Sequence, residues 1–412
     1  MLRDAQKIIS DSIAAVLPDE AVRRALTGRS FPGQVVLVAI GKAAWRMANT
    51  AYSVLGKQID RGVVITKYDH SEGHIGQLEI IEAGHPVPDE NSMRGAKRAL
   101  ELVSGMRETD TVLFLISGGG SALFELPLCG ATLDDIAALT RQLLACGADI
   151  TEINAIRKHL SAVKGGRFAH ACSPAHVLSV VLSDVLGDPI DAIASGPAAP
   201  DSSTCQDMQR IMDKYALSVP EHIRSLLTQE TPKALEDVET VITGNVTALC
   251  HAAAHSAAQL GYTPLVLTTT MNCEAREAGA LLAAIAREIR QSGQPVRPPC
   301  AVIMGGETVV HLRGSGKGGR NQELALAAAK GIDGLEDVCI FSLGSDGTDG
   351  PTDAAGGIVT GGFVSECKAC GLSIDKALAD NNAYPLLKEM NALLMTGPTG
   401  TNVNDTAVLL CR

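Results

Sequence analysis

Apolar runs of strand length recur along the first half of the chain, at QVVLVAIG (34–41), GVVITK (62–67), LEIIEAG (78–84), TVLFLISGGG (111–120) and HVLSVVLSD (176–184). Each is bounded by turn residues, and stretches of helical periodicity lie between most of them. Strands apolar on both faces that alternate with helices predict a parallel sheet covered on both sides, with the active loops at the strand C-termini. The segment 200–236 is polar, helical and free of strand signal, which predicts a joint between domains. Beyond it the pattern predicts strands near 238–243, 263–269, 300–304, 307–313, 337–343 and 405–411, and helices near 246–260, 273–290, 320–331 and 383–390. The turn in MGGETVV predicts a hairpin, which would make this second sheet mixed. The expected fold class is therefore α/β, a Rossmann-like parallel-sheet domain over 1–235 followed by a dissimilar mixed α/β domain over 236–412. Sequence does not assign the N-terminal amphipathic helix to either.

At 412 residues the chain is too long for one ordinary core, in keeping with two domains. A net charge of −11 without a long basic stretch argues against nucleic acid as a partner, and anions must be met by locally concentrated Lys and Arg. The eleven cysteines are odd in number and scattered through apolar or helical contexts, which is cytosolic usage. The CxxC at Cys367 and Cys370 has no second pair or nearby histidines and is read as a helical coincidence. No apolar run reaches the ~18 residues needed to cross a bilayer, so the expectation is a cytoplasmic protein with no membrane partner. A homodimer is compatible with the chain.

Five segments carry candidate chemistry. In AIGKAAWRMA (39–48) a buried strand ends at Gly41, and Lys42 opens a helix where it can meet a phosphate or carboxylate. In LISGGGSALFELP (115–127), Gly118, Gly119 and Gly120 remove side-chain obstruction, so backbone N–H groups can wrap an oxyanion while Ser117 and Ser121 donate as well. The spacing is not that of a nucleophile elbow, which makes hydrolysis the lesser reading. In INAIRKHLSAVKGGRFA (153–169), Arg157, Lys158, Lys164 and Arg167 gather positive charge for an anionic substrate or phosphate, or form a solvated face; His159 reads as a packing or capping histidine. In VLSDVLGDPIDAIASGP (181–197), Asp184 directly terminates a buried strand, where it can hold a divalent cation or accept a hydroxyl proton, with Asp188 and Asp191 close behind.

The fifth segment joins a basic glycine loop to an acidic one. Gly314, Gly316, Gly318 and Gly319 would let backbone N–H groups approach an anion, Lys317 and Arg320 add charge, and the following helix would point its N-terminus at the same place. GSGKGG also satisfies G-x-G-x-x-G, but the preceding strand reads as half of a hairpin and no acidic residue lies at the expected distance, so the dinucleotide fingerprint is weak. In GSDGTDGPTDAAGG, Asp346, Asp349 and Asp353 recur with glycines as hard-oxygen metal ligands would, or as an Asp/Gly turn cluster.

At these motifs, together with VITKY and EAGHPVPDENS, the chain resembles the class II glycerate kinases, the glycerate 2-kinase family with a C-terminal MOFRL domain whose members were once widely labelled hydroxypyruvate reductases. The resemblance runs over nearly the whole chain. It implies two dissimilar α/β domains with the active site in the cleft, ATP and a divalent cation, Mg²⁺, as reactants, and conversion of D-glycerate to 2-phosphoglycerate. The family's proposed catalytic Lys after the first strand and Arg of the GGRNQE motif fall on Lys42 and Arg320; Asp184 as base or metal ligand is an inference from its position. The alternative expectation is an NAD(P)H-dependent hydroxypyruvate reductase, and a further one is a ligand-binding regulator without turnover.

Overall fold

The computed structural model describes residues 1–412. The chain packs as two compact units, one formed by Ala21–Thr243 and the other by Met1–Glu20 together with Gly244–Arg412.

The first unit is built on a six-stranded sheet. Its strands are β1 (Val35–Ile40), β2 (Ile59–Lys67), β3 (Glu79–Ala83), β4 (Thr111–Ile116), β5 (His176–Leu182) and β6 (Val238–Gly244), in the order β3-β2-β1-β4-β5-β6. Neighbours from β3 through β5 pair in parallel. The unbroken apolar runs follow from burial on both faces: Val36, Val38 and Ile40 of β1 enter one core, whereas Val35, Leu37 and Ala39 enter another on the opposite side. The first core contains Phe114, Phe124 and Phe168, with ring centroids 4.7 to 6.0 Å apart. A separate helical core joins Leu133–Ala145, Ile150–Leu160, Cys205–Lys214 and Glu221–Leu226. The segment 200–236, expected as a joint, is thus a packed layer of this unit. Its apolar positions Met208, Ile211, Ile223 and Leu226 have a helical partner face that local pattern does not reveal.

The second unit holds β7 (Thr263–Met271), β8 (Cys300–Gly306), β9 (Val338–Gly344), β10 (Gly356–Thr360), β11 (Leu393–Leu394) and β12 (Asp405–Cys411), in the order β11-β10-β9-β12-β8-β7. The sheet is mixed, as expected, but for another reason. No strand forms over 307–313; instead the last strand, β12, inserts antiparallel between β8 and β9, while β7 and β8 are parallel. The N-terminal helix Leu2–Ala15 belongs here, with Asp11 accepting from Ser256 Oγ at 2.6 Å and Asp4 accepting from Tyr262 Oη at 2.7 Å. The expected division at 235/236 therefore lies before β6, which pairs in the first sheet, and the N-terminal helix, which the sequence left unassigned, packs with the second unit.

Candidate active site

In the first unit, β2 and β3 lie to one side of β1, and β4, β5 and β6 to the other. The reversal between β1 and β4 is the switch point at which open α/β sheets bind ligands beyond the strand C-termini. Two predicted segments meet there. Lys42 N donates to Gly118 O at 2.9 Å, and Ser117 Oγ accepts from Ala43 N at 3.1 Å while donating to Ile40 O at 3.3 Å. Ser117 is 4% exposed, so its hydroxyl closes the junction between the two loops and is not presented to a ligand as expected. Gly119 sits at φ +86°, and a Cβ there would fall 3.0 Å from His85 Cδ2 and 3.3 Å from Lys42 Cγ. A Cβ on Gly118 would meet Asp184 Oδ2 at 2.4 Å. Lys42, His85, Asp184 and the triple-glycine turn therefore form one cluster. Burial first, then the Lys42 charge, pushes the His85 pKa below its ordinary value and favours a neutral imidazole.

The basic helix divides its charges. Arg157 Nη2 donates to Ser121 O at 3.1 Å, and Ser121 Oγ lies 3.0 Å from Ser195 Oγ, so Arg157 and Ser121 belong to the loop's support. Lys158 is buried in ion pairs with Asp191 at 3.2 Å and Asp201 at 3.3 Å. Lys164 is wholly buried, donates to Phe124 O at 2.7 Å and pairs with Glu125 at 3.3 Å; burial lowers its pKa to about 8. Neither lysine faces a ligand, contrary to expectation. A fully desolvated ammonium needs a carboxylate and a carbonyl close by, and both are provided from within the fold.

In the second unit Arg320 opens the helix Arg320–Gly331. Its guanidinium pairs with Asp405 through Nε at 2.5 Å and Nη2 at 3.0 Å, and with Glu307 through Nη1 at 2.8 Å. A guanidinium has five N–H groups, so these three bonds leave two for a ligand. The glycine loop is committed elsewhere. Gly314 N donates to Asn381 Oδ1, Ser315 N to Asp380 Oδ1, Gly316 N to Asp380 O and Lys317 N to Asn382 Oδ1, at 2.9 to 3.1 Å. A Cβ on Gly316 would lie 2.4 Å from Asn382 Cβ, so this glycine serves close packing against 380–382. Gly318 and Gly319 complete the turn. Lys317 Nζ lies over the Tyr384 ring, 4.7 Å from its centroid.

The acidic loop does not converge on one point. Asp349 is 3% exposed and accepts from Asn321 N at 3.1 Å and Gln322 N at 2.9 Å, capping the Arg320 helix whose N-terminus was expected to face a phosphate. Its burial raises its pKa to about 6 despite those bonds. Asp353 accepts from Tyr384 Oη at 2.7 Å, and Asp346 takes a local turn bond from Thr348 N at 3.0 Å. Sequence reasoning missed His85, although it lies in the EAGHPVPDENS motif, and missed Glu307 and Asp405. A carboxylate opening the otherwise apolar run DTAVLLC was a legible signal for Asp405, by the logic that selected Asp184 at a strand end.

Two dissimilar α/β units, one with Rossmann strand order and a lysine at its switch point, the other with a mixed sheet and an arginine clamped at a helix start, place the chain among two-domain α/β proteins. Residues 4–228 match the family described as a domain of unknown function, DUF4147, and residues 300–405 match the MOFRL family. The chain is 54% identical over 404 residues to the D-glycerate 2-kinase of Thermotoga maritima, covering 98% of this chain and 97% of that one. It is 41% identical over 426 residues to the glycerate 2-kinase of Pyrococcus horikoshii, covering 98% and 96%. A crystal structure of glycerate kinase from Thermotoga maritima superposes with a TM-score of 0.97 at 53% identity, covering 100% of this chain and 99% of that one. The chain belongs to the class II glycerate kinase family.

Proposed function

We propose that the chain is an ATP-dependent glycerate 2-kinase that converts D-glycerate to 2-phosphoglycerate. The observation that carries this reading is Lys42 at the switch point, against the Gly118–Gly120 turn, in a chain 54% identical to a D-glycerate 2-kinase. Phosphoryl transfer asks little covalent work of a protein; catalysis rests on positioning the acceptor hydroxyl and stabilising charge on the transferred group. Lys42 and the two remaining Arg320 N–H groups are the proposed sources of that charge. The Gly118–Gly120 turn, braced by Arg157 through Ser121, would hold a phosphate or the glycerate carboxylate, with Lys317, Gly318 and Gly319 as a secondary phosphate contact. Asp184 or its neighbour His85, whose neutral ring can accept a proton, would receive the hydroxyl proton. Mg²⁺ usually takes one or two carboxylates and completes its shell with phosphate oxygens and water. Asp346, whose carboxylate carries only a turn bond, fits that use better than Asp349, which is committed to a helix cap. When bound, Mg²⁺ would neutralise phosphate charge.

No helix is long and apolar enough to cross a membrane. The eleven cysteines are free, which suits a reducing compartment, and the cytoplasm is the proposed location. The reductase alternative needs a dinucleotide turn between a strand and a helix. GSGKGG follows no strand, and the N–H groups of Gly314, Ser315, Gly316 and Lys317 are engaged by 380–382. The test is an assay of the protein with D-glycerate, ATP and Mg²⁺, product position being read by ³¹P NMR, run beside NADH with hydroxypyruvate. ATP-dependent formation of 2-phosphoglycerate is expected; faster oxidation of NADH than phosphorylation would overturn the reading.

A further inference from the structure

Within the first unit, three side chains from separate segments converge on one point. His159 lies near the end of helix Ile150–Leu160, Cys205 opens helix Cys205–Lys214, and Glu230 follows helix Glu221–Leu226. A ring nitrogen of His159, the Cys205 sulfur and a carboxylate oxygen of Glu230 all lie within 4.8 Å of one another. His159 is wholly buried, and its Nδ1 lies 3.0 Å from Ala155 O. A carbonyl only accepts, so Nδ1 carries the proton and Nε2 presents a lone pair. That nitrogen is buried without a hydrogen-bond partner. A buried acceptor left unpaired calls for an explanation, and packing alone does not require an imidazole at this place.

We propose that His159, Cys205 and Glu230 form a binding site for a borderline-soft divalent cation of the Zn²⁺ class, apart from the kinase chemistry. The ligand set is one nitrogen, one sulfur and one oxygen, which Zn²⁺ accepts and hard Mg²⁺ does not. Tetrahedral Zn²⁺ holds such atoms roughly 3.3 to 3.8 Å apart, given its usual bond lengths. Metal binding would require rotation of Cys205, which is partly exposed, and of Glu230, which is 49% exposed, to close the remaining distance. The surroundings already orient the ligands. Ala155 O fixes the histidine tautomer, Cys205 N donates to Glu230 Oε1 at 2.9 Å, and Lys233 pairs with Glu230 Oε2 at 2.8 Å. Arg167, whose Nε and Nη2 are buried without partners, and Lys233 place positive charge nearby, partly offset by buried Asp201 at 4.0 Å from His159 Nδ1. Such a field disfavours a purely ionic cation and selects a metal that gains from a thiolate bond. On binding, the Cys205 S–H bond breaks, a sulfur–metal bond forms and one proton passes to solvent. The ion would tie together three segments of the helical layer, including the helix whose Arg157 holds Ser121 O.

The experiment is a titration of the chelator-treated full-length protein with Co²⁺, followed by displacement with Zn²⁺. One equivalent of Co²⁺ with a sulfur-to-metal charge-transfer band is expected, lost on addition of Zn²⁺. Cys205→Ser should abolish the band, and Glu230→Gln should weaken Co²⁺ binding by about tenfold or more. Zn²⁺ should raise the Tm of the wild type and leave that of Cys205→Ser unchanged. Cys129, Cys146, Cys273 and Cys370 are exposed, so a band that persists in Cys205→Ser assigns the metal to one of them and overturns the proposal. Absence of any band in the wild type overturns it equally. Because Cys205 and Glu230 are not fully buried, the test does not depend on the folding of a His159 variant.

Discussion

Arg320 is clamped by Asp405 through both carboxylate oxygens, Nε to Oδ2 at 2.5 Å and Nη2 to Oδ1 at 3.0 Å. Asp405 is 2% exposed and opens β12, the strand that joins the two halves of its sheet. Burial by itself would lower the Arg320 pKa, but Asp405 and Glu307 outweigh it and raise it, so the guanidinium stays charged. The pair fixes where a cationic side chain stands before any ligand arrives, as the role proposed for Arg320 in stabilising the transition state requires.

Two roles of Arg320 can be separated. Arg320→Ala removes the counter-charge of a buried carboxylate and should cost about 3–5 kcal/mol of stability. Adding Asp405→Asn should recover most of that loss in urea unfolding, while kcat for glycerate phosphorylation stays down by on the order of 10²-fold. Recovery of turnover in the double variant would confine Arg320 to a structural role.

Lys42→Ala should lower kcat by on the order of 10²-fold with little change in Tm, because the role proposed for its charge falls chiefly in the transition state. The same substitution removes one of the causes that depress the His85 pKa, so the His85 value in an NMR titration should rise toward the ordinary imidazole range. An unmoved His85 titration would show that the two side chains do not share a site.

Asp349 links stability to pH. Its folded pKa of about 6 lies above the ordinary 3.8, so the folded chain binds more protons than the unfolded chain between these values. Its favourable contribution is complete below 3.8 and is lost as pH rises through about 6. Measured as Tm, the wild type should therefore lose stability relative to Asp349→Asn as pH rises from 4 to 7. A difference that is flat with pH would contradict the raised pKa.

Asp346→Asn should raise the Mg²⁺ concentration needed for half-maximal activity before it abolishes turnover, since a lost carboxylate weakens a hard-cation site directly. Asp349→Asn should instead act through stability, because its oxygens cap a helix. Identical Mg²⁺ titrations for the wild type and Asp346→Asn would reduce the acidic loop to a turn.

Lys317→Ala should weaken ATP binding without creating affinity for NADH, as calorimetry can measure. The loop's remaining capacity for an anion resides in its charge, most of its backbone donors being held by 380–382. Stoichiometric NADH binding by the wild type would favour a dinucleotide turn.

The sequence by itself determined the elements whose signal is local. Five of the six strands of the first sheet were legible as apolar runs; β1, β4 and β5, buried on both faces, need no partner to be recognised. The cluster of Lys42, Gly118–Gly120 and Asp184 was legible from the same runs: each closely follows one, and the C-terminal ends of neighbouring parallel strands lie side by side. Tertiary structure alone decided what depends on distant partners. β6 joined the first sheet and the N-terminal helix joined the second unit because their apolar faces fit surfaces far away in the chain. The short strands β10 and β11 carry too little pattern to be read without the neighbours that pair with them. A charge or an N–H group looks the same in sequence whether it faces a ligand or another part of the fold. Lys164 found Glu125 and Phe124 O, the glycine loop found Asp380–Asn382, and Asp349 found the Arg320 helix, because a buried polar group must be paired and the nearest partner in space is set by the whole fold.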